Sequence, residues 1–288
     1  MSGFLIDGND AFTAYGVRLL EGSLASVVAM PPLKQSSILT TAWHEADGID
    51  ADLSQPRLDT RQVSLLLATD GTRAMFDSLI QAITDGAYHT YSFTDIGRTL
   101  SLRLTGLDDY EQGGRLGFVT LRLADDNPLG GYTYTQPSST SGGSEDYSLD
   151  GRPLSDYGVR LLGGTLDTIS AHGSPRANLS RSLSVQGGTS YDGEAVHFDA
   201  RSAKIPCLLR AKSTTELWKN WDALAFDLSR AGKRTLTVEG ENAVQHFYYV
   251  SCDVDEFVPD TTDYWLRFSL TIQLLDSCLT DITNDNEQ

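Results

Sequence analysis

The chain says the same thing twice. Tyr15-Gly16-Val17-Arg18-Leu19-Leu20 reappears as Tyr157-Gly158-Val159-Arg160-Leu161-Leu162, and the match runs on through Gly22/Gly164 and Leu24/Leu166. It begins earlier, with Asp7-Gly8 before the first block and Asp150-Gly151 before the second. An internal duplication narrows the possible folds to two sister units. It favours a building block of a ring, array or symmetric scaffold over a pair of redundant catalytic pockets.

Both copies can be followed to their ends. Leu58-Asp59-Thr60-Arg61 answers to Phe198-Asp199-Ala200-Arg201, and each leads into an apolar run, Val63 to Leu67 and Ile205 to Leu209. Helical spacing follows: Phe76, Leu79, Ile80 and Ile83 in the first copy, and Leu217, Trp218, Trp221, Leu224 and Leu228 in the second. Ser213 and Glu216 have capping-box spacing, and Asp70 is a candidate cap for the first helix. Alternating runs then read as strands: Tyr88 to Phe93, Leu100 to Leu104 and Gly117 to Leu123, answered by Arg234 to Val238, His246 to Cys252 and Tyr264 to Leu274. Pro31 to Pro56 and Gly173 to Gly193 read as long projecting hairpins, with Ile38 to Trp43 and Ser180 to Val185 as outgoing arms. The expected fold class is α+β, mainly β. It consists of two tandem antiparallel β-sandwich or half-barrel domains, each with one packed helix and a projecting hairpin. The expected organisation is repeat 1 over 1–128, a flexible Gly/Ser/Pro linker over 129–147, repeat 2 over 148–279 and a mobile tail over 280–288. Tyr132 and Tyr134 are the residues that would pin part of the linker.

The net charge of −17 over 288 residues argues against nucleic acid or an anionic membrane as a partner held by charge. No stretch is long and apolar enough to span a bilayer, and the start lacks the basic and apolar regions of a signal peptide. Cys207, Cys252 and Cys278 are odd in number and confined to the second copy, which points to free thiols in a reducing compartment.

Residues with chemical potential have plain structural readings. His44, His89, His172, His197 and His246 show no metal-ligand spacing, and no cofactor motif is present. Asp108, Asp109 and Glu111, answered by Asp253, Asp255 and Glu256, are either a carboxylate pair or calcium ligands, or solvated turns between strands; the turn reading is favoured. Trp218 and Trp221 suit a ligand platform or, preferably, a helix face on a sheet. Gly113-Gly114-Arg115-Leu116 looks like a hairpin turn. Arg18 and Arg160, at equivalent places, either make a repeated contact between subunits, for example with Asp59 or Asp199 of a neighbour, or are solvated strand-face arginines. Asp59/Arg61 and Asp199/Arg201 equally suit local ion pairs. Trp43, on the hairpin arm, completes the candidate oligomer contacts.

The Asp-Gly … Tyr-Gly-Val entry, the long polar hairpin, the Asp-x-Arg strand leading to a helix over 72–83 and the closing antiparallel strands resemble the distal tail and tail-tube proteins of long-tailed bacteriophages and their prophage relatives. The resemblance spans both copies. It implies a non-enzymatic structural component of a virion tail, assembled in the bacterial host cytoplasm, that forms a ring around a DNA-conducting lumen as tube, distal ring or baseplate adaptor. It implies sheets joined edge to edge across subunits, no cofactor, and as partners the chain itself, other tail or baseplate proteins, and DNA only in transit. Two domains in tandem would build a pseudo-hexamer from three copies, or a hexamer of chains. The separate carbohydrate-binding domain of many distal tail proteins has no counterpart here. The alternatives are a two-domain carbohydrate-binding or adhesin-type module, and a hydrolase with carboxylates from both copies.

Overall fold

Two Asp-Gly pairs make the first turn of each half. Asp7 and Gly8 sit at φ 50° and 79°, and Asp150 and Gly151 at φ 49° and 79°. Two successive positive φ values are what a two-residue hairpin loop needs, and Asp-Gly supplies them at least cost. The repeated sequence is therefore, in part, repeated turn chemistry. Each Asp side chain also braces the strand beside it. Asp7 accepts from Thr90 N (2.8 Å) and pairs with His89 Nδ1 (2.7 Å). Asp150 accepts from Thr235 N (2.9 Å) and pairs with Arg234 Nη1 (2.6 Å).

The computed structural model describes residues 3–20, 22–113, 116–178, 180–185, 187–191, 193, 196–259 and 262–282. The first half contains β1 (Phe4–Ile6), β2 (Asn9–Asp10), α1 (Ala11–Tyr15), β3 (Val17–Leu19), α2 (Ser23–Val28), β4 (Leu39–Thr41), β5 (Asp50–Asp52), β6 (Arg61–Thr69), α3 (Arg73–Ile83), β7 (Tyr88–Phe93), β8 (Arg98–Gly113) and β9 (Leu116–Asp125). The second half contains β10 (Tyr147–Leu149), β11 (Arg152–Pro153), β12 (Val159–Leu161), α4 (Thr165–Ser170), β13 (Ser180–Ser182), β14 (Thr189–Tyr191), β15 (Ser202–Ala211), α5 (Thr214–Ser229), β16 (Arg234–Val238), β17 (Ala243–Pro259), β18 (Tyr264–Leu274) and β19 (Thr280–Asp281).

The halves share one topology. The first sheet runs β2-β1-β7-β8-β9-β6-β3 and the second β11-β10-β16-β17-β18-β15-β12, antiparallel throughout. Even the irregularities repeat: β8 bulges at Thr105 and β17 at Val250, the same position counted from the preceding strand turn. A bulge bends and twists a long strand, so its recurrence marks a shared curvature. The fold is mainly β, with two antiparallel half-barrel sheets, as the sequence implies; the described residues hold five α-helices, where one per half, α3 and α5, was expected. Both hairpins also form, as β4–β5 and β13–β14.

Four expectations change. Thr72, and not Asp70, caps α3, accepting from Met75 N through its hydroxyl. Only half of the second capping box forms. Ser213 Oγ accepts from Glu216 N (3.1 Å), but the Glu216 carboxylate accepts from Lys212 N (2.9 Å) and Thr140 N (2.6 Å). The segment 129–147, expected as a flexible tether pinned in part by Tyr132 and Tyr134, lies along α5 over much of its length: Tyr132 and Tyr134 pack on Phe226, Tyr134 donates to Asp227, and Ser138 N donates to Asn220. The end of the chain, expected to be mobile, begins with β19 paired to β17; residues 283–288 lie outside the described residues.

Candidate assembly surface

The apolar core does not stop at the boundary between halves. Buried residues of both sheets form one cluster, and α5 shows why. Its sister α3 buries one face, through Phe76, Leu79 and Ile83. In α5, Trp218, Asn220, Ala225 and Asp227 are buried as well, because the first half and the segment 129–147 cover what would be its outer side. The two tryptophans anchor this contact. Trp221 stacks edge-on against Phe268 (4.8 Å) and donates its indole N–H to the Val28 carbonyl at the end of α2 (2.8 Å). Trp218 donates to the Ile96 carbonyl (2.6 Å). Beside them Arg98 makes a bidentate pair with Asp222 (2.7 and 2.9 Å) and stacks on the Trp218 ring (4.5 Å). These tryptophans are a helix face, as expected, with a second role in joining the halves.

The chain leaving α2 continues the contact. The Tyr249 hydroxyl donates to the Pro31 carbonyl (3.0 Å), Leu33 N donates to the carbonyl of the β17 bulge residue Val250 (2.8 Å), and the Met30 backbone reaches the Cys252 sulfur. Burial pushes the Cys252 thiol up to about 12 and raises Cys207 too, so neither is a reactive thiolate at neutral pH. The β4–β5 hairpin then folds down onto the second half. Gly48 N donates to Phe198 O (2.9 Å), Ile49 N to Leu275 O (3.0 Å), and Gly232 N to Leu53 O (2.8 Å).

Arg176, at the base of the second hairpin, clamps the first. Its guanidinium donates to the carbonyls of Trp43, Ala46 (2.9 Å) and Gly48 (2.6 Å), while Asp199 holds its Nε (2.6 Å). Two candidate contact residues, Trp43 and Asp199, thus meet through Arg176 within one chain. The Trp43 indole is otherwise exposed and donates to Asp50 (2.8 Å).

The other candidates lie apart. Arg18 is exposed and stacks on Phe12 of its own half (3.8 Å), and Arg160 is exposed on β12. Asp59 accepts from the adjacent Thr60 N (2.9 Å). The local Asp-x-Arg pairs do not form. Arg61 pairs with Asp125 (2.7 Å) and points at the carbonyls of Val27 and Ala29; Arg201 points at those of Thr168 and Ala171. Each arginine thus serves the C-terminal end of the short helix before the hairpin, where a cation meets the free carbonyls and the negative end of the helix dipole.

The acidic clusters are not turns between strands. Asp108, Asp109 and Glu111 lie within β8, and Asp253, Asp255 and Glu256 within β17, on arms that extend beyond the bulges. Asp108 pairs with Arg122, Asp253 with Lys204 (2.8 Å), and Asp255 accepts from Ser269 (3.3 Å). The side chains of Asp109 and Glu111, and the turn residues Gly114 and Arg115, lie outside the described residues. Among the described residues no group of three or more His, Cys, Asp or Glu is placed to hold a metal ion, and no helix is long and apolar enough to cross a membrane.

Two concavities occupy equivalent places in the two halves. One, of about 750 Å³, lies in the second half and includes Lys233, His246 and Asp276; its remaining wall is the docked first hairpin, from Ala46 to Ser54. The other, of about 560 Å³, lies in the first half and includes Tyr88, Ser101 and Asn127. Counted from matched strand pairs, Tyr88 answers to Lys233, Ser101 to His246 and Asn127 to Asp276. Under the hairpin, His246 is buried; Ser101 is exposed. Cys252 is buried where its equivalent Leu107 is 39% exposed.

No family model matches the chain, and no curated protein matches it. Among solved structures, the SPP1 Dit (gp 19.1) protein, whose crystal structure is described as a paradigm of the hub adsorption apparatus in Gram-positive infecting phages, aligns over 94% of this chain and 97% of its own. The identity is 10% and the TM-score 0.29, so the functional reading rests on this chain's own architecture.

Proposed function

We propose that this chain is a structural, non-catalytic component of a phage-like tail, acting as tube, distal ring or baseplate adaptor. Three copies form a pseudo-hexameric ring around a lumen that conducts DNA. One observation carries the reading: two sister half-barrels of identical strand order meet head to tail, so that one half's arm lies on the next half's sheet. A contact between unlike surfaces of like units does not terminate after one use; it propagates until it closes a ring or extends as a filament. The chain uses this contact once internally and presents both unlike surfaces again at its ends. The acidic balance suits a conduit, because an anionic wall does not retain a passing polyanion. The partners are then further copies of the chain and the neighbouring tail or baseplate proteins, and the location is the virion tail after assembly in the host cytoplasm.

Negative-stain imaging of the concentrated protein tests this. Rings or short stacked tubes with a central opening are expected. Particles that remain single, elongated and without an opening at every concentration would remove the proposal.

A further inference from the structure

The two halves are equivalent, yet only one receives an arm. The second half's groove is walled by the β4–β5 hairpin, held by Arg176 and Asp199. The first half has the matching parts without an arm. Lys34 stands where Arg176 stands: Lys34 N donates to Arg57 O (2.7 Å) as Arg176 N donates to His197 O (2.7 Å). Asp59 stands where Asp199 stands, each donating its N–H to the corresponding carbonyl, Pro32 and Ser174 (both 2.8 Å). Lys34 is exposed, and so is Ser101, whose counterpart His246 is buried. The arm that would complete this surface is also on the chain. β13 and β14 are exposed, as is β4 of the docked arm, but Ser190 is exposed where its register counterpart Ala51 is half-buried and lines the filled groove.

From this unequal use of equal parts we infer that the β13–β14 hairpin docks in the first-half groove of a second copy of this chain. There it lies over Ser101, and its tip is held by Lys34 and Asp59. The occupant is specified by the chain itself, because the filled groove displays what an equivalent groove accepts: a sister hairpin. Docking would cover Ser190, as Ala51 is covered in the filled groove, and each new copy would present the next open groove. The inference rests on the ring proposed above and adds to it the surfaces through which one chain grips the next.

Cross-linking and native mass spectrometry test it together. In a Cys278→Ser background, Ser101→Cys and Ser190→Cys are introduced singly and as a pair, then treated with a short bis-maleimide. The pair is expected to give a ladder of covalent dimers and trimers, and the single variants are expected to give none. Ser101→Arg, at an exposed position, and a variant with residues 180–191 replaced by a short Gly-Ser loop are each expected to lower the oligomer fraction at least tenfold, while the monomer's melting temperature stays unchanged. An oligomeric wild type with no covalent ladder and no loss in either variant would overturn the hairpin docking and leave the ring intact. A wild type that stays monomeric would overturn both. A Ser101–Ser190 link formed only at monomer mass would show the hairpin folding back on its own chain and would overturn the docking alone.

Discussion

Removing the Arg98 guanidinium should be costly for a residue near the surface. Arg98 and Asp222 come from different halves, and their side chains are 19% and 15% exposed. Both Nη atoms are engaged, at 2.7 and 2.9 Å, and the guanidinium also lies over the Trp218 ring. An exposed pair of this kind is worth about 0.2–1 kcal/mol. Breaking a fully buried pair costs about 3–5 kcal/mol, because the remaining charge has lost its water. At this degree of burial the geometry lies between the two but nearer the second: two charge-assisted bonds and a stacked cation are lost, and the Asp222 carboxylate keeps its partial burial without its bidentate partner. Arg98→Met keeps most of the aliphatic stem, so packing loss is small. We expect a loss of about 2–4 kcal/mol by urea denaturation, and a coupling energy of about 2 kcal/mol in the double-mutant cycle with Asp222→Asn. Coupling below about 0.5 kcal/mol would mean that the pair behaves as a surface ion pair, and that the halves are not fastened as described.

Other outcomes follow from the same contacts. Tyr249→Phe leaves the buried Pro31 carbonyl without its donor and should cost about 1–3 kcal/mol in the same assay; a neutral result would remove that bond from the account. Gly48→Ala places a side chain at φ 76° against the Leu275 carbonyl, and should raise hydrogen exchange in 46–53 while β6 to β9 stay protected. His89 lies above its usual 6.5 because, against the effect of burial, its hydrogen bonds to Asp7 and Asp85 favour the charged ring; both carboxyls lie below their usual 3.8. The His89 contribution is therefore full below pH 6.5 and fades as pH rises through its folded value, and the carboxyl contribution fades as pH falls below 3.8. The stability gap between wild type and His89→Gln should be widest between about pH 4 and 6.5 and shrink in base; a gap that widened with pH would contradict this. Native protein at pH 8 should expose at most Cys278 to a thiol reagent, with Cys207 and Cys252 reacting only on unfolding.

Much of this was legible in the residues, for identifiable reasons. Tyr264 to Leu274, Tyr88 to Phe93 and Arg234 to Val238 end where their alternation ends, because one face of each strand meets a core and the period of two records it. The duplication was legible because Asp-Gly turns and left-handed caps such as Gly16 (φ 68°) and Gly158 (φ 70°) tolerate few substitutes. The contact between halves was not. Arg98, Asp222 and Arg176 carry it, but a polar side chain gives no sign in sequence of which distant carbonyl it will meet. The one available hint was α5, whose apolar residues exceed what a single sheet face needs. The acidic clusters were misplaced because bulged strands keep going where alternation fades. Gly and Ser in 129–147 read as a tether, since nothing local reveals that Glu216 and Asn220 wait on a helix far along the chain to bind its backbone.

The most direct test of the head-to-tail account is a density map of the assembled particle. Superposing the first half on the second within one chain gives a transformation, and applying it again places the next chain. The account predicts that the contact between chains overlays the contact inside one, with β13–β14 lying across Ser101 of its neighbour. An assembly built through other faces, with that groove open to solvent, would contradict it.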